Sequence, residues 1–300
     1  MMKIVSLLRF LFLLVLMILA LYVPHAFSSA YEYHNGTSVI GTVTTARTKG
    51  DESLIELARK VDIGYSAITD ANPSLDPFVP GSGSLVTIPS AWILPDVESY
   101  DGIVINVSEL RLYYFTRKGR ARLVRIFPIG TGSEGHDTPP GNYRVVQKVV
   151  KPAWHVPESI RKERPELPRV VPPGPDNPLG SHALRLSSNS ILIHGTNKPW
   201  GVGMRVSHGC IRLYPEDISR FFPMVPEGTK VTIVRQPVKV GQREGKVYAE
   251  VHNDEFNKDS DYLAMAQTLL SKKGLLKNVN TEKLYRVIEE KRGMPVDISE

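Results

Sequence analysis

The single cysteine of this 300-residue chain, Cys210, lies sixteen residues after His194 and two residues after His208. A thiol near two imidazoles combines a soft nucleophile with a general base, and a glycine at 209 frees the backbone to bring N–H groups toward an oxyanion. These residue types predict acyl transfer through a thioester. In this interpretation Cys210 is the nucleophile, His194 is the base, and the N–H groups of Gly209 and Cys210 receive the oxyanion.

The residues alone leave two other interpretations of Cys210 open. A free cysteine often packs as a small buried hydrophobe, and His194, His208 and Cys210 would offer zinc three ligands and a fourth position for water. An inert cysteine usually lies within an apolar run, whereas Cys210 follows Ser207-His208-Gly209. Zinc sites that use cysteine commonly show paired ligands such as C-x-x-C, which this sequence lacks. The sequence therefore favours a catalytic thiol, with no metal and no cofactor.

The residues around Cys210 also resemble a known signature. His194-Gly195, the stretch Ser207-His208-Gly209-Cys210 and the spacing between them are similar to the catalytic signature of the L,D-transpeptidases of bacterial cell walls, the YkuD-type enzymes. The resemblance covers roughly Gly102 to Val234 and departs from the common pattern at Arg212, where many members carry asparagine. Two upstream elements support it: Ile129-Gly130-Thr131-Gly132 and Thr138-Pro139-Pro140-Gly141-Asn142-Tyr143.

This resemblance implies a mainly β catalytic domain, a β-sandwich or mixed sheet of the YkuD type, and a specific reaction. Cys210 is expected to attack the carbonyl of the L-centre of diaminopimelate in a peptidoglycan stem tetrapeptide and to release D-Ala. An amine then resolves the thioester, and it belongs either to a second stem or to a lysine of an envelope lipoprotein. The carbonyl of Gly195 is expected to orient His194, while His208 holds the turn or the substrate.

Polar residues near the nucleophile are candidates for substrate binding. Arg205, Arg212 and Lys198 lie close in sequence to Cys210 and can pair with stem carboxylates, for which arginine offers bidentate geometry. Each of these cations can equally be ordinary surface charge. Arg212 is favoured because it follows the nucleophile at a fixed short distance, and Ser207 is a further candidate.

Residues 151–180 are rich in Pro, Arg and Glu and show little periodicity. A long irregular segment in a compact domain is more often a functional loop than a core element. We expect this insertion to cover the substrate, with Trp154 and His155 as contact residues. The alternative is a solvated excursion held by one aromatic residue.

The first thirty residues have the pattern of an export signal. Lys3 and Arg9 precede the uncharged apolar run Phe10 to Val23, whose fourteen residues fall short of the ~20 that span a bilayer. Ser28-Ser29-Ala30 offers small residues for signal-peptidase cleavage. The sequence predicts a cleaved signal peptide and a periplasmic, wall-associated protein, with an uncleaved anchor as the alternative. In an oxidising compartment an unpaired cysteine favours a reactive thiol.

Residues 31–97 are predicted to form a small module. Leu54 to Val61 and Ser66 to Ala71 have helical spacing, with Asp51 as the cap of the first helix, and strands are expected near Val39 to Val43 and Ser84 to Ile88. The series resembles a LysM module, a β-α-α-β fold that binds N-acetylglucosamine-containing glycans. The alternative is a packing subdomain without glycan affinity.

The remaining chain is divided into two segments. Residues 98–236 show strand alternation and form the predicted catalytic domain. Residues 237–300 are predicted to form a hairpin and two amphipathic helices, Ser260 to Lys273 and Thr281 to Arg292, packed on the catalytic sheet. The formal net charge of +6 comes without basic runs interleaved with aromatics, which excludes an obvious nucleic-acid surface.

Two other classes of function remain open at this stage. A hydrolase with the same thioester would use water as acceptor, as an L,D-carboxypeptidase or cysteine peptidase. A glycan-binding envelope protein would carry a degenerate catalytic domain or a zinc site. Peptidoglycan is the expected partner in each case.

Overall fold

The computed structural model describes residues 30–34, 36–188, 190–257 and 259–300. The predicted signal segment, residues 1–30, therefore lies outside the described residues except for Ala30. Within the described ranges no helix has the length and apolar character needed to cross a membrane.

The described residues form short strands in large number and six α-helices. In chain order the elements are β1 (Tyr31–Glu32), β2 (Val39–Gly41), β3 (Thr44–Arg47), α1 (Leu54–Lys60), α2 (Tyr65–Ala71), β4 (Leu85–Ile88), β5 (Ala91–Ile93), β6 (Gly102–Asn106), β7 (Arg111–Lys118), β8 (Ala121–Pro128), β9 (Thr131–Gly132), β10 (Gly141–Val150), β11 (Trp154–His155), α3 (Glu158–Glu163), β12 (Val170–Val171), β13 (His182–Leu186), β14 (Leu192–His194), β15 (Arg205–Ser207), β16 (Ile211–Arg212), α4 (Pro215–Met224), β17 (Lys230–Val234), β18 (Val238–Arg243), β19 (Lys246–Val251), α5 (Tyr262–Lys272), α6 (Thr281–Glu290) and β20 (Val296–Asp297).

A mixed sheet of nine strands forms the centre of the molecule, in the order β1-β8-β7-β6-β17-β10-β13-β14-β16. Strands β6 to β8 make the predicted antiparallel meander. The pairs β6/β17 and β14/β16 are parallel. The mainly β, mixed-sheet expectation is thus confirmed, and β14 and β16 lie together at one edge of the sheet.

The central strands are buried on both faces because their alternate residues enter different cores. Ile103 and Ile105 of β6 pack into a core that also contains Phe221 of α4. Val104, between them, packs into a second core with Trp92 of the N-terminal segment. Because successive side chains of a strand point to opposite faces, the two faces of this sheet pack against two different cores.

The N-terminal module, residues 31–97, has its two helices between the paired strands β3 and β4. The single strand predicted from Val39 to Val43 is wrong: Gly41 has a φ of +72° and lies against the Ser90 carbonyl, so the chain turns there and β2 pairs with β5 instead. The cap of α1 is Ser53, in a capping box with Glu56, and not Asp51.

The C-terminal segment makes a core of its own. Strands β18 and β19 form a hairpin joined by β20. Leu270 of α5 and Val287 of α6 pack with Val240 and Ala249 of this hairpin. The expectation that the helices pack on the catalytic sheet is therefore wrong, because the hairpin provides the apolar face that they cover.

A buried ionic network joins the three segments. Lys239 Nζ donates to Glu109 Oε2 and to the Ile93 carbonyl, both at 2.6 Å, and Arg111 Nη1 lies 2.6 Å from Glu250 Oε1. Burial alone would raise the pKa of Glu250, but Lys239 and Arg111 hold that pKa below its ordinary value. We call Glu109, Arg111, Lys239 and Glu250 the junction network.

Candidate active site

His194 is the last residue of β14, held against β13 and β16. The pairing of Ala183 with His194 fixes one side, and the parallel pairing of His194 with Arg212 fixes the other. The imidazole is 3% exposed, and its Nδ1 lies 2.5 Å from the Gly195 carbonyl oxygen. With Nδ1–H donating to that carbonyl, Nε2 is left as the basic nitrogen. Residue 195 has room only for glycine, since a Cβ would overlap Ile218.

Cys210 directly precedes β16 and shares a face with His194. Ile193 pairs with Ile211, and both side chains enter the core. Because side chains alternate along a strand, Cys210 and His194 fall on the opposite face. The Cys210 Sγ lies 3.5 Å from the Ser190 carbonyl oxygen and accepts from the Leu192 N–H. The parallel pairing thus places Cys210 and His194, the two residues predicted from the sequence as nucleophile and base, on the same face of neighbouring strand ends.

The protonation of this pair is set by its burial. Burial raises the pKa of the Cys210 thiol, against the opposing effects of the Leu192 N–H and of the Arg212 and Arg185 guanidinium groups. Burial and the Arg212 charge lower the pKa of His194 to about 4, although its bond to Gly195 acts the other way. Both groups are therefore neutral at pH 7. Desolvation of both groups disfavours a thiolate–imidazolium ion pair before substrate binds.

The nucleophile turn, Ser207 to Cys210, is held by two hydroxyls. The Ser207 hydroxyl, buried, donates to the Cys210 carbonyl at 2.6 Å. The Thr138 hydroxyl donates to the Gly209 carbonyl at 3.0 Å and accepts from the Gly132 N–H at 3.1 Å. Gly209 has a φ of +95°, which favours glycine. These contacts support a positioning role for Ser207, and the same role for Thr138 was missed although the motif around it was noticed.

The two candidate arginines have different surroundings. Arg205 donates to the Gly132 carbonyl at 3.1 Å and to Asp137 Oδ1 at 2.5 Å, and its guanidinium lies 3.9 Å from the ring centre of Phe256. These partners bind the cation within the protein. Arg212 is partly buried beside His194, and within the described ranges its Nε has no hydrogen-bond partner. Arg212 is thus the cation better placed to receive a substrate carboxylate, while Lys198 is exposed at the start of a 3-10 turn.

The insertion, residues 151–180, is structured and reaches the nucleophile turn. Its short strands β11 and β12 pair Trp154 with Val171. Buried Asn177 ties its ends together by donating to the carbonyls of Pro152 and Pro172. The contact with the turn comes from Glu163 at the end of α3, a residue that the sequence reasoning did not select.

His208 points to the insertion. Its Nε2 lies 3.2 Å from Glu163 Oε2, and its ring packs on His136 with 4.4 Å between centroids. The zinc set of His194, His208 and Cys210 is not among the ligand clusters formed by the described residues. The orientation of both imidazoles explains this, since His194 bonds Gly195 while His208 bonds Glu163.

The N-terminal module packs against the loop before the nucleophile turn. The N–H groups of Tyr65 and Ser66, at the start of α2, donate to the Val202 and Gly203 carbonyls at 3.3 and 3.1 Å. A Cβ at Gly203 would overlap the backbone of Tyr65. Arg59 of α1 makes a bidentate pair with Glu216 at 2.8 and 3.0 Å. The module therefore contributes to the shape of the loop that leads to Cys210, a contact that was not predicted.

Comparisons with known proteins agree with this geometry. The YkuD L,D-transpeptidase catalytic domain matches residues 100–233. The chain is 42% identical over 259 residues to the "Probable L,D-transpeptidase YcfS" of Escherichia coli (strain K12), covering 82% of this chain and 80% of that protein. It is 37% identical to the "Probable L,D-transpeptidase ErfK/SrfK" of Salmonella typhimurium, over 91% of this chain and 93% of that protein. It is 40% identical to the "Probable L,D-transpeptidase YbiS" of Escherichia coli (strain K12), over 73% of each. With identities of 37 to 42% over most of both chains, this chain belongs to the L,D-transpeptidase family of enzymes.

Proposed function

We propose that this enzyme is exported, acts on peptidoglycan stem tetrapeptides, and forms a thioester on Cys210. The observation that carries the proposal is that Cys210, directly before β16, and His194, at the end of the parallel strand β14, lie on one face of the sheet, with the His194 ring oriented by Gly195. A thiol beside an oriented imidazole is the minimum that nucleophilic acyl transfer requires. The family resemblance supplies the substrate, the donor stem with a terminal D-Ala.

The first step begins from a neutral pair. As the Sγ of Cys210 attacks the carbonyl carbon of the stem, its proton passes to Nε2 of His194. The tetrahedral intermediate collapses, the bond to D-Ala breaks, and His194 returns the proton to the departing amine. A neutral resting pair avoids the free-energy cost of a buried ion pair before the substrate binds. Negative charge then develops only during reaction, on the oxyanion of the tetrahedral intermediate.

The nucleophile turn provides the place for the developing oxyanion. The Ser207 and Thr138 hydroxyls hold the carbonyls of Cys210 and Gly209 in fixed directions. We assign the oxyanion donors to the N–H groups of Gly209 and Cys210. The bond from Thr138 to the Gly209 carbonyl fixes the peptide plane that carries the Cys210 N–H before reaction. Such preorganised donors cost no reorganisation in the transition state.

Arg212 is our choice for the residue that binds a stem carboxylate. Burial lowers its pKa from the ordinary value, and the nearby Cys210 opposes that effect. A buried guanidinium with an unpartnered nitrogen favours an anionic partner. The carboxylate of the donor stem would satisfy it and hold the scissile carbonyl against the thiol.

The second step transfers the acyl group to an amine: the amine attacks the thioester carbonyl, the C–S bond breaks, and His194 takes the amine proton and passes it to the departing Sγ of Cys210. The amine is that of a second stem or of an envelope lipoprotein lysine. Water as acceptor would make the enzyme an L,D-carboxypeptidase. The N-terminal module, by its β-α-α-β order and LysM resemblance, is proposed to bind the glycan strand of the same peptidoglycan, and residues 1–30 to direct export to the periplasm.

Product analysis by mass spectrometry tests this function. The purified enzyme is incubated with a stem tetrapeptide alone, with a second stem, or with a lysine-terminated lipoprotein peptide, and the Cys210→Ser variant is the control. Loss of D-Ala together with a joined product supports transpeptidation and identifies the acceptor. Release of D-Ala without a joined product would make water the acceptor, and no reaction in any mixture would refute the enzyme activity on stems.

Sacculus binding tests the role of the N-terminal module. The whole chain is used, because the module packs against the loop before Cys210 and its deletion would disturb that loop. Pull-down with isolated sacculi should be reduced by soluble N-acetylglucosamine oligomers. If the oligomers leave the pull-down unchanged while stem peptides abolish it, the module is a packing subdomain.

A further inference from the structure

Three ionisable side chains from separate segments meet beside the nucleophile turn. His136 lies between β9 and β10, Glu163 ends α3 of the insertion, and His208 belongs to the turn itself. The Nε2 atoms of His136 and His208 lie 3.8 and 3.2 Å from the two carboxylate oxygens of Glu163. The proposed acyl transfer uses none of these contacts.

The geometry of this group suits a metal ion better than a simple ion pair. Its three ligand atoms lie within 4.8 Å of one another. Zinc bonds to imidazole nitrogen and carboxylate oxygen are about 2.0–2.2 Å long, so tetrahedral ligands lie roughly 3.3 Å apart. The two nitrogen–oxygen separations already present, 3.8 and 3.2 Å, are close to this value. Two imidazoles and one carboxylate also form the ligand set of zinc sites that keep an open fourth position.

The charges around the group leave it available to a cation. The nearby Arg205 is bound to Asp137, and Lys162 on α3 pairs with Glu158 at 3.5 Å. All three side chains are partly exposed, so an ion can reach them from solvent.

A second cluster shows what an unsuitable site looks like. Glu109, Glu250 and His252 also lie close enough to ligate an ion. However, Lys239 and Arg111 already bind these carboxylates, at 2.6 to 2.9 Å. In that cluster the two buried cations take the position that a metal ion would need. Among the described residues no lysine or arginine pairs with Glu163, whose partners are His136 and His208.

We propose that His136, Glu163 and His208 bind a zinc-class divalent ion, with water in the fourth position. The ion joins the insertion to the nucleophile turn, two residues before Cys210. His136 lies two residues before Thr138, whose hydroxyl donates to the Gly209 carbonyl. The ion therefore also connects the nucleophile turn to the loop that contains Thr138. The sequence predicted no metal site, and the zinc ligands considered for it were His194, His208 and Cys210. The site proposed here shares only His208 with that set.

Zinc titration by calorimetry tests the site in the Cys210→Ser background, which removes the thiol as a competing ligand. The parent should bind one equivalent of Zn²⁺, and His136→Ala and Glu163→Gln should each weaken binding by about tenfold or more. His34→Ala, an exposed histidine outside the cluster, is the matched control and should bind as the parent does. No binding by the parent, or equal binding by the His136→Ala and Glu163→Gln variants, would overturn the site.

Hydrogen exchange tests the connection between the insertion and the turn. With Zn²⁺, amide exchange in residues 158–163 should slow in the Cys210→Ser parent and stay unchanged in the His136→Ala derivative. Binding without slower exchange would refute the connection while leaving the site. Since both measurements use a protein without its nucleophile, their failure is independent of any failure of the transpeptidase proposal.

Discussion

The active site and the junction network both bury ionisable groups, but they treat charge in opposite ways. In the junction network, two carboxylates face two cations at 2.6 to 3.2 Å. At the active site, Cys210 and His194 have no such balance, and burial keeps both neutral. Matched charges stabilise a fixed arrangement, whereas a neutral pair retains a proton that can move. Burial of an ionisable group therefore does not by itself indicate a functional role. Its charged partners determine whether the group is structural or can exchange a proton.

The largest effect should come from removing the nucleophile. Cys210→Ser should lower turnover on stem tetrapeptides by more than about 10³-fold, because a buried hydroxyl beside a base of low pKa is a poor nucleophile. The same variant should form no adduct with a carbapenem, while the parent gains the mass of one ring-opened molecule. Intact-mass spectrometry checks both. An adduct on Cys210→Ser would place the acyl-accepting group elsewhere.

The next effect concerns the base and the neutral pair. His194→Ala should lower acylation by about 10²–10⁴-fold, the usual contribution of a general base. His208→Ala, the comparison variant, should lose much less. Both can be followed by the rate of carbapenem adduct formation.

The pH dependence of iodoacetamide alkylation tests the neutral pair directly. Burial raises the thiol pKa, so alkylation of the parent should rise only at pH values above the ordinary cysteine range of about 8.5. His194→Ala should leave that profile nearly unchanged. A parent profile with its midpoint below neutrality would instead indicate a thiolate–imidazolium pair.

Breaking the junction network should affect stability more than chemistry. Lys239→Met leaves Glu109 and Glu250 with one cation between them, and uncompensated buried charge costs about 3–5 kcal/mol in the free energy of unfolding. Lys246→Met, which removes an exposed pair with Asp297 from the same hairpin, should change stability little. Urea unfolding measures the difference. Equal losses in the two variants would mean that the buried charges are not mutually dependent.

A smaller, pH-dependent effect is expected where the N-terminal module meets α4. Burial raises the pKa of Asp62 to about 6, and burial and the Asp62 charge raise that of Asp217 well above its ordinary value, although Arg220 opposes both shifts. A carboxyl with a raised folded-state pKa destabilises the fold as pH rises from its ordinary pKa through the folded value. Stability from Asp62 should therefore fall between about pH 4 and 6, and that from Asp217 should fall from about pH 4 up to its own, higher folded-state pKa.

Thermal unfolding of Asp217→Asn checks this sign. The variant should gain stability relative to the parent as pH rises from 4.5 to 8, because it cannot ionise beside Asp62. Asp51→Asn, at an exposed position of the N-terminal module, is the control and should have the same stability as the parent at every pH. A constant difference between Asp217→Asn and the parent across this range would contradict the interpretation.

The sequence predicted what depends on local pattern and missed what depends on distant partners. Alternation located the strands of the sheet, and the spacing of His194 and Cys210 located the reacting pair. Periodicity shows which face of an element is apolar but not what covers it, which is why the C-terminal helices were assigned to the wrong sheet. Arg205 appeared free because its partners, Asp137 and Phe256, are far away in the chain.

The approach of Glu163 to His208 could not be predicted for the same reason. The insertion has weak periodicity, and its path depends on the anchoring of Asn177 to carbonyls at both ends. A carboxylate forty-five residues before a histidine carries no local signal of contact. The protonation state of Cys210 could not be predicted from the sequence either, because desolvation of the thiol depends on the folded site.

The place of β17 in the sheet has a consequence for how the chain folds. This strand, residues 230–234, is the last in the catalytic segment, yet it lies between β6 and β10 and bonds to both. Until β17 has been synthesised, β6 and β10 each present an unpaired edge. The pairings of β17 join residues that are far apart in the chain, a separation that slows folding. A chain made from its N-terminus would thus stay unfolded through most of its synthesis. The proposed export would benefit from that delay, because translocation accepts an extended chain and the sheet can then close after the chain has crossed the membrane.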